Sequence, residues 1–296
     1  MNFKEKYEEY KRHIEQALLF PEVENIPLAD VMLYSLGAGG KRIRPVLVSA
    51  FCEAYGGEPQ NALPIAAAIE ILHTSTLIQD DLPCMDDDAL RRGKPACHVA
   101  FSEAKAVLAA SAMTYFAFEK IAETKLANTP RIIMEICGYM GMRGVYGGQE
   151  LDLFFEKNPD DALKHNNNTA SGGSPILKMY GMKTCALLQA ACVSGCIAAN
   201  ADENAVKSAA EYAFNLGLAF QINDDILDLT SDPETLGKPV NSDNKNQKLT
   251  YVSVAGLEKG KKDAEKYTLE ALKILENIPN SEFLKELTRE LLNRKM

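Results

Sequence analysis

Two clusters of carboxylates, 144 positions apart, each close a long apolar run with helical spacing. That arrangement constrains the fold more than any other feature, because acids gathered at the ends of buried helices need cations. The first cluster is Asp80-Asp81-Leu82-Pro83-Cys84-Met85-Asp86, with Asp87 and Asp88 directly after it and Arg91-Arg92-Gly93-Lys94-Pro95 beyond. It ends a largely apolar run from Ile65 to Leu82, and Pro64 predicts the start of that helix. Pro83 removes a backbone donor and disfavours helix at Leu82. The acids therefore crowd a helix C-terminus, where the macrodipole makes negative charge less favourable. Oxygen ligands with no Cys or His pair nearby suit a hard cation such as Mg²⁺, which keeps waters and shares its shell with phosphates. A solvated acidic loop is the other reading of this segment.

The second cluster is Phe220-Gln221-Ile222-Asn223-Asp224-Asp225-Ile226-Leu227-Asp228. Gln221, Asp224, Asp225 and Asp228 are spaced by three and four, which places them on one helical face. An exposed acidic stripe is the alternative here, but such stripes interleave Lys or Arg, and these turns carry neither. Two such helix ends facing each other across a bundle would hold several cations and a diphosphate.

Apolar spacing is helical almost throughout, with no convincing alternating strand. Helices are predicted over 3–20, 28–36, from Pro45 through Tyr55, over 101–126, 131–154, from Pro175, over 205–229, and as two amphipathic helices after Leu257. The expectation is an all-α, antiparallel helical bundle in a single domain, 1–296. Gly37-Ala38-Gly39-Gly40 followed by Lys41-Arg42-Ile43-Arg44-Pro45 lets backbone and cations approach a phosphate. Leu236-Gly237-Lys238-Pro239 and Lys248-Leu249-Thr250-Tyr251 add phosphate-pairing candidates. Glu156 to Ser174 is polar and reads as a mobile surface loop.

The balance of 32 basic and 41 acidic side chains gives a net charge of −9, against nucleic acid or an anionic membrane as the main partner. Seven cysteines, an odd number without paired spacing, read as reduced core residues of a cytoplasmic protein. Residues 1–20 lack the apolar core of a signal peptide, and no uninterrupted apolar run reaches the roughly 18 residues of a membrane span, so stable membrane insertion is not expected.

These motifs, in this order over nearly the whole chain, resemble the all-trans prenyl diphosphate synthases, the farnesyl and geranylgeranyl diphosphate synthase family. The first aspartate-rich motif, in its seven-residue form, matches Asp80 to Asp86, and the second matches Asp224 to Asp228. The resemblance implies the isoprenoid synthase fold, a bundle around a deep central cavity, and a homodimer. It implies three Mg²⁺, with Asp80, Asp86 and Asp224 as ligands and Asp81, Asp225 and Asp228 binding metal waters or shaping the cage. It implies that Lys41, Arg44, His73 and Arg92 hold isopentenyl diphosphate. Arg91, Lys183, Lys238 and Lys248 would hold the allylic diphosphate, and Thr184 and Gln221 would face the developing cation. The reaction implied is ionisation of the allylic substrate, attack by the isopentenyl double bond and proton loss, without a protein nucleophile. Taken without that context, His73 reads as a core histidine, although it lies seven residues before Asp80 on the same helical face.

Some positions depart from the family pattern: Gln79 stands where His is common, Met182 where a polar residue often precedes Lys183-Thr184, and Ala109-Ala110-Ser111-Ala112-Met113 replaces a run often reading Ala-Gly-Asp-Ala-Leu. None removes a metal or phosphate ligand. Ser75 and Thr76, the fifth and fourth residues before Asp80, are small where farnesyl synthases usually carry an aromatic floor at the fifth. A helical turn rises about 5.4 Å, comparable with one isoprene unit. The next barriers are Leu72, or Met113, Tyr115 and Phe116 from a facing helix. Farnesyl and geranylgeranyl products both stay open, with Ser75 favouring the longer. Two alternatives remain: a class I terpene cyclase, which has no use for Lys41, Arg44 and Arg92, and a non-catalytic subunit of a heteromeric synthase, which generally lacks intact acidic motifs.

Overall fold

The structure is a computed structural model that describes residues 2–20, 23, 25–164, 174–230 and 249–292. Its contacts divide into two compact units. The first, Met1–Met134 with Ala191–Asp202, holds α1 (Phe3–Ala17), α2 (Pro27–Leu36), α3 (Ile43–Ala54), α4 (Pro59–Asp80), a short ladder of β1 (Leu90–Arg91) and β2 (Lys94–Pro95), α5 (Cys97–Ala100), α6 (Glu103–Ala122) and the first half of α7 (Thr129–Met140).

Within this unit α4 packs chiefly on α3 and α6. It is buried on nearly every side, from Ala62 through Ile65, Ile69 and Leu72 to Ile78, which is why its sequence is apolar all round and not amphipathic. The facing stripe of α6, Ala106, Ala109, Ala110, Met113 and Ala117, is mostly alanine, so the two helices can approach closely. The helix start differs from the sequence expectation: α4 begins at Pro59, and Pro64 lies inside it. Pro64 forfeits one ladder hydrogen bond, and burial of Ala62 accompanies the extra turn. The ladder of β1 and β2 is a hairpin whose corner, Arg92-Gly93, has φ of 54° and 76°, the geometry of a tight two-residue turn. No alternating pattern announced it, because each strand is only two residues long.

The second unit, Glu135–Ala190 with Glu203–Met296, holds the rest of α7, α8 (Val145–Lys157), α9 (Pro159–Lys164), α10 (Pro175–Tyr180), a π-helical turn at Gly181–Cys185, the start of α11 (Ala186–Ala198), α12 (Glu203–Thr230), α13 (Tyr251–Ala255), α14 (Leu257–Leu275) and α15 (Glu282–Leu292). The remainder of α11 belongs to the first unit. The helix expected over 131–154 is broken between Met140 and Val145, where a Cβ on Gly144 would sit 1.7 Å from the Tyr139 carbonyl oxygen. The loop expected over 156–174 is shorter than its polarity suggested, since α8 runs to Lys157 and α9 follows, while residues 165–173 lie outside the described residues. Here α12 packs on α14 and on the π-helical turn, around a core that includes Phe155, Tyr180, Leu218, Ile222 and Tyr251.

Five cysteines are buried, whereas Cys84 and Cys137 are exposed, and all seven are free thiols. Among the described residues two helices, Pro59–Asp80 and Pro175–Ala198, are by length and composition able to cross a membrane, although neither is an uninterrupted apolar run. Both are mostly buried inside the protein, as core helices are.

Candidate active site

At the end of α4 the chain folds back on itself. The Asp86 N–H donates to the Asp80 carbonyl at 2.9 Å, and Met85 and Asp87 both donate to the Leu82 carbonyl, so Leu82-Pro83-Cys84-Met85 loops out. The turn brings the chain at Asp86 back to the chain at Asp80. Among the described residues no three His, Cys, Asp or Glu side chains converge on one point. A cation held by Asp80 and Asp86 therefore completes its shell with water or substrate oxygen, which fits Mg²⁺.

Asp81, which follows Asp80 in the chain, is turned inward. It is 2% exposed and accepts from Arg91 Nε at 2.8 Å as well as from the Arg91 terminal nitrogen, which also meets Asp88 at 3.2 Å. Arg91, expected to hold an allylic diphosphate, is thus engaged in bracing the acidic loop. The cause is position: Asp81 is the cap of α4 and turns inward beside Leu82, where a charge persists only if paired.

Of the cations expected around isopentenyl diphosphate, Arg44 and Arg92 come together at His73 within the first unit. Gly39 and Gly40 have φ of 80° and 136°, and Arg42 enters α3 at φ 55°. Arg42 itself is 3% exposed; its guanidinium donates to Glu15 at 2.7 Å, Glu70 at 2.6 Å and the Leu36 carbonyl at 2.7 Å. This fixes the turn to α4, and the Tyr7 hydroxyl holds the Lys41 carbonyl from the other side. Arg44 donates to His73 Nε2 at 3.3 Å, and Arg92 donates to the Gly39 carbonyl with its guanidinium over Gly40. Burial, then Arg44, Arg92, Arg42 and Arg91, push the His73 pKa well below its ordinary value, so the ring is neutral and accepts. The sequence reading missed Arg42 and Glu70. A lone acid inside the apolar run of α4 was the available signal, because it demands a buried cation.

In the second unit the π-helical turn carries Lys183 and Thr184. A Cβ on Gly148 would lie 2.2 Å from the Lys183 backbone nitrogen, so only glycine lets α8 approach the turn this closely. That contact accompanies an ion pair between Asp152 of α8 and Lys183. Thr184 Oγ1 donates to Gln221 Oε1 at 3.0 Å. These side chains, with Tyr180, Asp225, Leu249 and Thr250, line a hollow of about 180 Å³. Asp224 lines a different one of about 320 Å³, with Lys261, Glu265 and Thr268 of α14. The acidic face of α12 is thus wide enough to serve two hollows. Asp225 is buried and accepts from the Tyr180 hydroxyl and the Tyr251 N–H. Asp228 is half-buried, and Lys238 and Lys248 lie outside the described residues. Asp152 was missed as a site residue, although two glycines stand four and five residues before it.

Of the residues considered for product length, Ser75, Leu72 and Met113 are fully buried. Ser75 and Thr76 bond the Leu72 and His73 carbonyls, at 2.7 Å and 2.8 Å. Phe116 is buried and meets Phe20 edge to face at 4.8 Å. Tyr115 is 78% exposed, so within this chain it does not wall the space beneath Ser75, contrary to the sequence expectation. Met113 and Tyr115 are two positions apart on α6, and so point to different sides.

The sequence model of the polyprenyl synthetase family matches residues 26–291. A geranylgeranyl diphosphate synthase of Cyanophora paradoxa is 44% identical over 247 residues, covering 82% of this chain and 79% of that protein. The crystal structure of a geranylgeranyl pyrophosphate synthetase from Pyrococcus horikoshii superposes with a TM-score of 0.87 at 28% identity, covering 99% of this chain and 98% of that one. A geranyltransferase from Helicobacter pylori, crystallised with magnesium and isoprenyl diphosphate, gives 0.78 at 31% identity over 97% and 96%. The family has the all-α isoprenoid synthase fold, uses Mg²⁺, and joins isopentenyl diphosphate to allylic diphosphates. This chain belongs to the polyprenyl synthetase family and is a trans-prenyltransferase that elongates prenyl chains.

Proposed function

We propose that the chain condenses isopentenyl diphosphate head-to-tail with allylic diphosphates up to geranylgeranyl diphosphate, using the residues described above in distinct roles. The observation that carries this reading is the presence of two separately built cationic sites. Arg44 and Arg92 meet at His73 in one, where we read Lys41 as joining them, and Lys183 with Thr184 and Gln221 forms the other. A lone-substrate cyclase needs only one. Ser75, small and buried, together with the geranylgeranyl diphosphate synthases among the relatives, favours the longer product.

In this reading Lys41, Arg44 and Arg92 bind the isopentenyl diphosphate. Neutral His73 keeps the Arg44 guanidinium aimed. Lys183 exchanges Asp152 for the allylic diphosphate, and Thr184 and Gln221 turn oxygen lone pairs toward the carbon where positive charge develops, a preorganised stabilisation. Asp80, Asp86 and Asp224 hold three Mg²⁺, which when bound supply the charge neutralisation a leaving diphosphate requires. The released diphosphate accepts the proton, so no protein base is used. Two copies pair through the exposed apolar stripe of α6, Val107, Leu108 and Tyr115.

Product analysis with purified protein, isopentenyl diphosphate and each allylic primer tests the reading. Geranylgeranyl diphosphate is expected; farnesyl diphosphate alone would overturn the product assignment, and cyclised hydrocarbon from a single diphosphate would overturn the reaction.

A further inference from the structure

We propose that Asp225, although it sits within the second acidic motif, is a positioning residue that fastens the Leu249-Thr250-Tyr251 segment beside Lys183, Thr184 and Gln221, and does not ligate metal. The inference rests on the reading of that hollow as the allylic diphosphate site.

The geometry is one cluster. The Tyr180 hydroxyl donates to both Asp225 oxygens, at 3.1 Å and 2.9 Å. The Tyr251 N–H points at Asp225 Oδ2 at 3.0 Å and at the Tyr180 oxygen at 3.1 Å. All three residues are buried, with Asp225 6% exposed. Tyr251 is the first residue of α13, so its N–H has no partner in its own helix. At the other end of the same side chain, the Tyr251 hydroxyl donates to Asp263 of α14 at 2.5 Å. Tyr251 is thereby tied to α12 through its backbone and to α14 through its ring. Leu249 and Thr250, the two residues before it, line the hollow with Lys183.

A carboxylate that accepts several hydrogen bonds in a buried cluster loses them if it swings out to a cation, and charge-assisted bonds are the strong ones. Asp224 and Asp228, on the same helix, are only half-buried. The motif therefore divides its work: one carboxylate holds the wall while its neighbours face the cation.

The test compares Asp225→Asn, Asp225→Ala and Tyr180→Phe with wild type. Positioning predicts that Tyr180→Phe and Asp225→Asn each raise KM for the allylic substrate about fivefold, the worth of one net hydrogen bond. KM for isopentenyl diphosphate and the Mg²⁺ concentration giving half activity should stay within about twofold, and Asp225→Ala should exceed Asp225→Asn, because Asn still accepts. Metal ligation predicts the reverse: a large rise in the Mg²⁺ requirement for Asp225→Asn, with Tyr180→Phe like wild type. Amide hydrogen exchange over 249–256 reads the clamp without reference to activity. Faster exchange there in Tyr180→Phe and Asp225→Ala, with the rest of the chain still protected, is the expected result, and unchanged exchange would overturn the proposal. If exchange rises while allylic KM does not, the clamp stands and the assignment of the hollow to the allylic substrate fails.

Discussion

The Asp86 N–H closes onto the Asp80 carbonyl at 2.9 Å, while Asp81, next in the chain, turns inward to Arg91. Neighbouring carboxylates thus take separate tasks. Asp80→Asn should lower turnover by at least about a hundredfold with the fold retained, because the charge removed serves the leaving diphosphate. Asp81→Asn should act mainly on stability, by about 3 kcal/mol, since it leaves Arg91 without its buried partner. Parallel denaturation and turnover measurements separate the two. Equal turnover losses with equal stability would refute the division.

His73 offers a pH test. Burial and four arginines hold its folded pKa well below the ordinary 6.5, so between those values the unfolded chain binds more protons. Its contribution is complete above pH 6.5 and is lost as pH falls toward the folded value. Denaturant stability measured from about pH 8 to about pH 5 should therefore fall more steeply in wild type than in His73→Gln. Superimposable curves would show that the ring does not titrate as described.

Glu70 and Arg42 form an ion pair in which both side chains are almost wholly buried. Glu70→Gln should cost on the order of 3 kcal/mol and also raise KM for isopentenyl diphosphate, because the pair ties the Lys41 turn to α4. A loss of stability with KM unchanged would detach the pair from that site.

The fold class and the acidic motifs were legible because long apolar helices and unpaired acids have strong local signatures. So were the cations at Lys41, Arg44 and Arg92, placed beside glycines. What stayed hidden was which charges are consumed internally. Arg42 reads like its neighbours Lys41 and Arg44, and Asp81 like Asp80, yet Arg42 is spent on Glu70 and Asp81 on Arg91. The break between α7 and α8 and the start of α4 before Pro64 were hidden for a related reason: tertiary burial overrode local preference.

Ser75 tests the product assignment. Ser75→Tyr fills a fully buried position about one and a half turns before Asp80 on α4 and should shorten the product by at least one isoprene unit. Chromatography of dephosphorylated products reads this directly, and an unchanged distribution would remove Ser75 from the chain-length wall.

The proposed reaction turns on metal held by both acidic motifs. Anomalous diffraction from crystals grown with Mn²⁺ and a thio-substituted allylic diphosphate tests it most directly. Mn²⁺ is expected at Asp80 and Asp86 and a further Mn²⁺ at Asp224, with none on Asp81 or Asp225. Metal confined to one motif would contradict it.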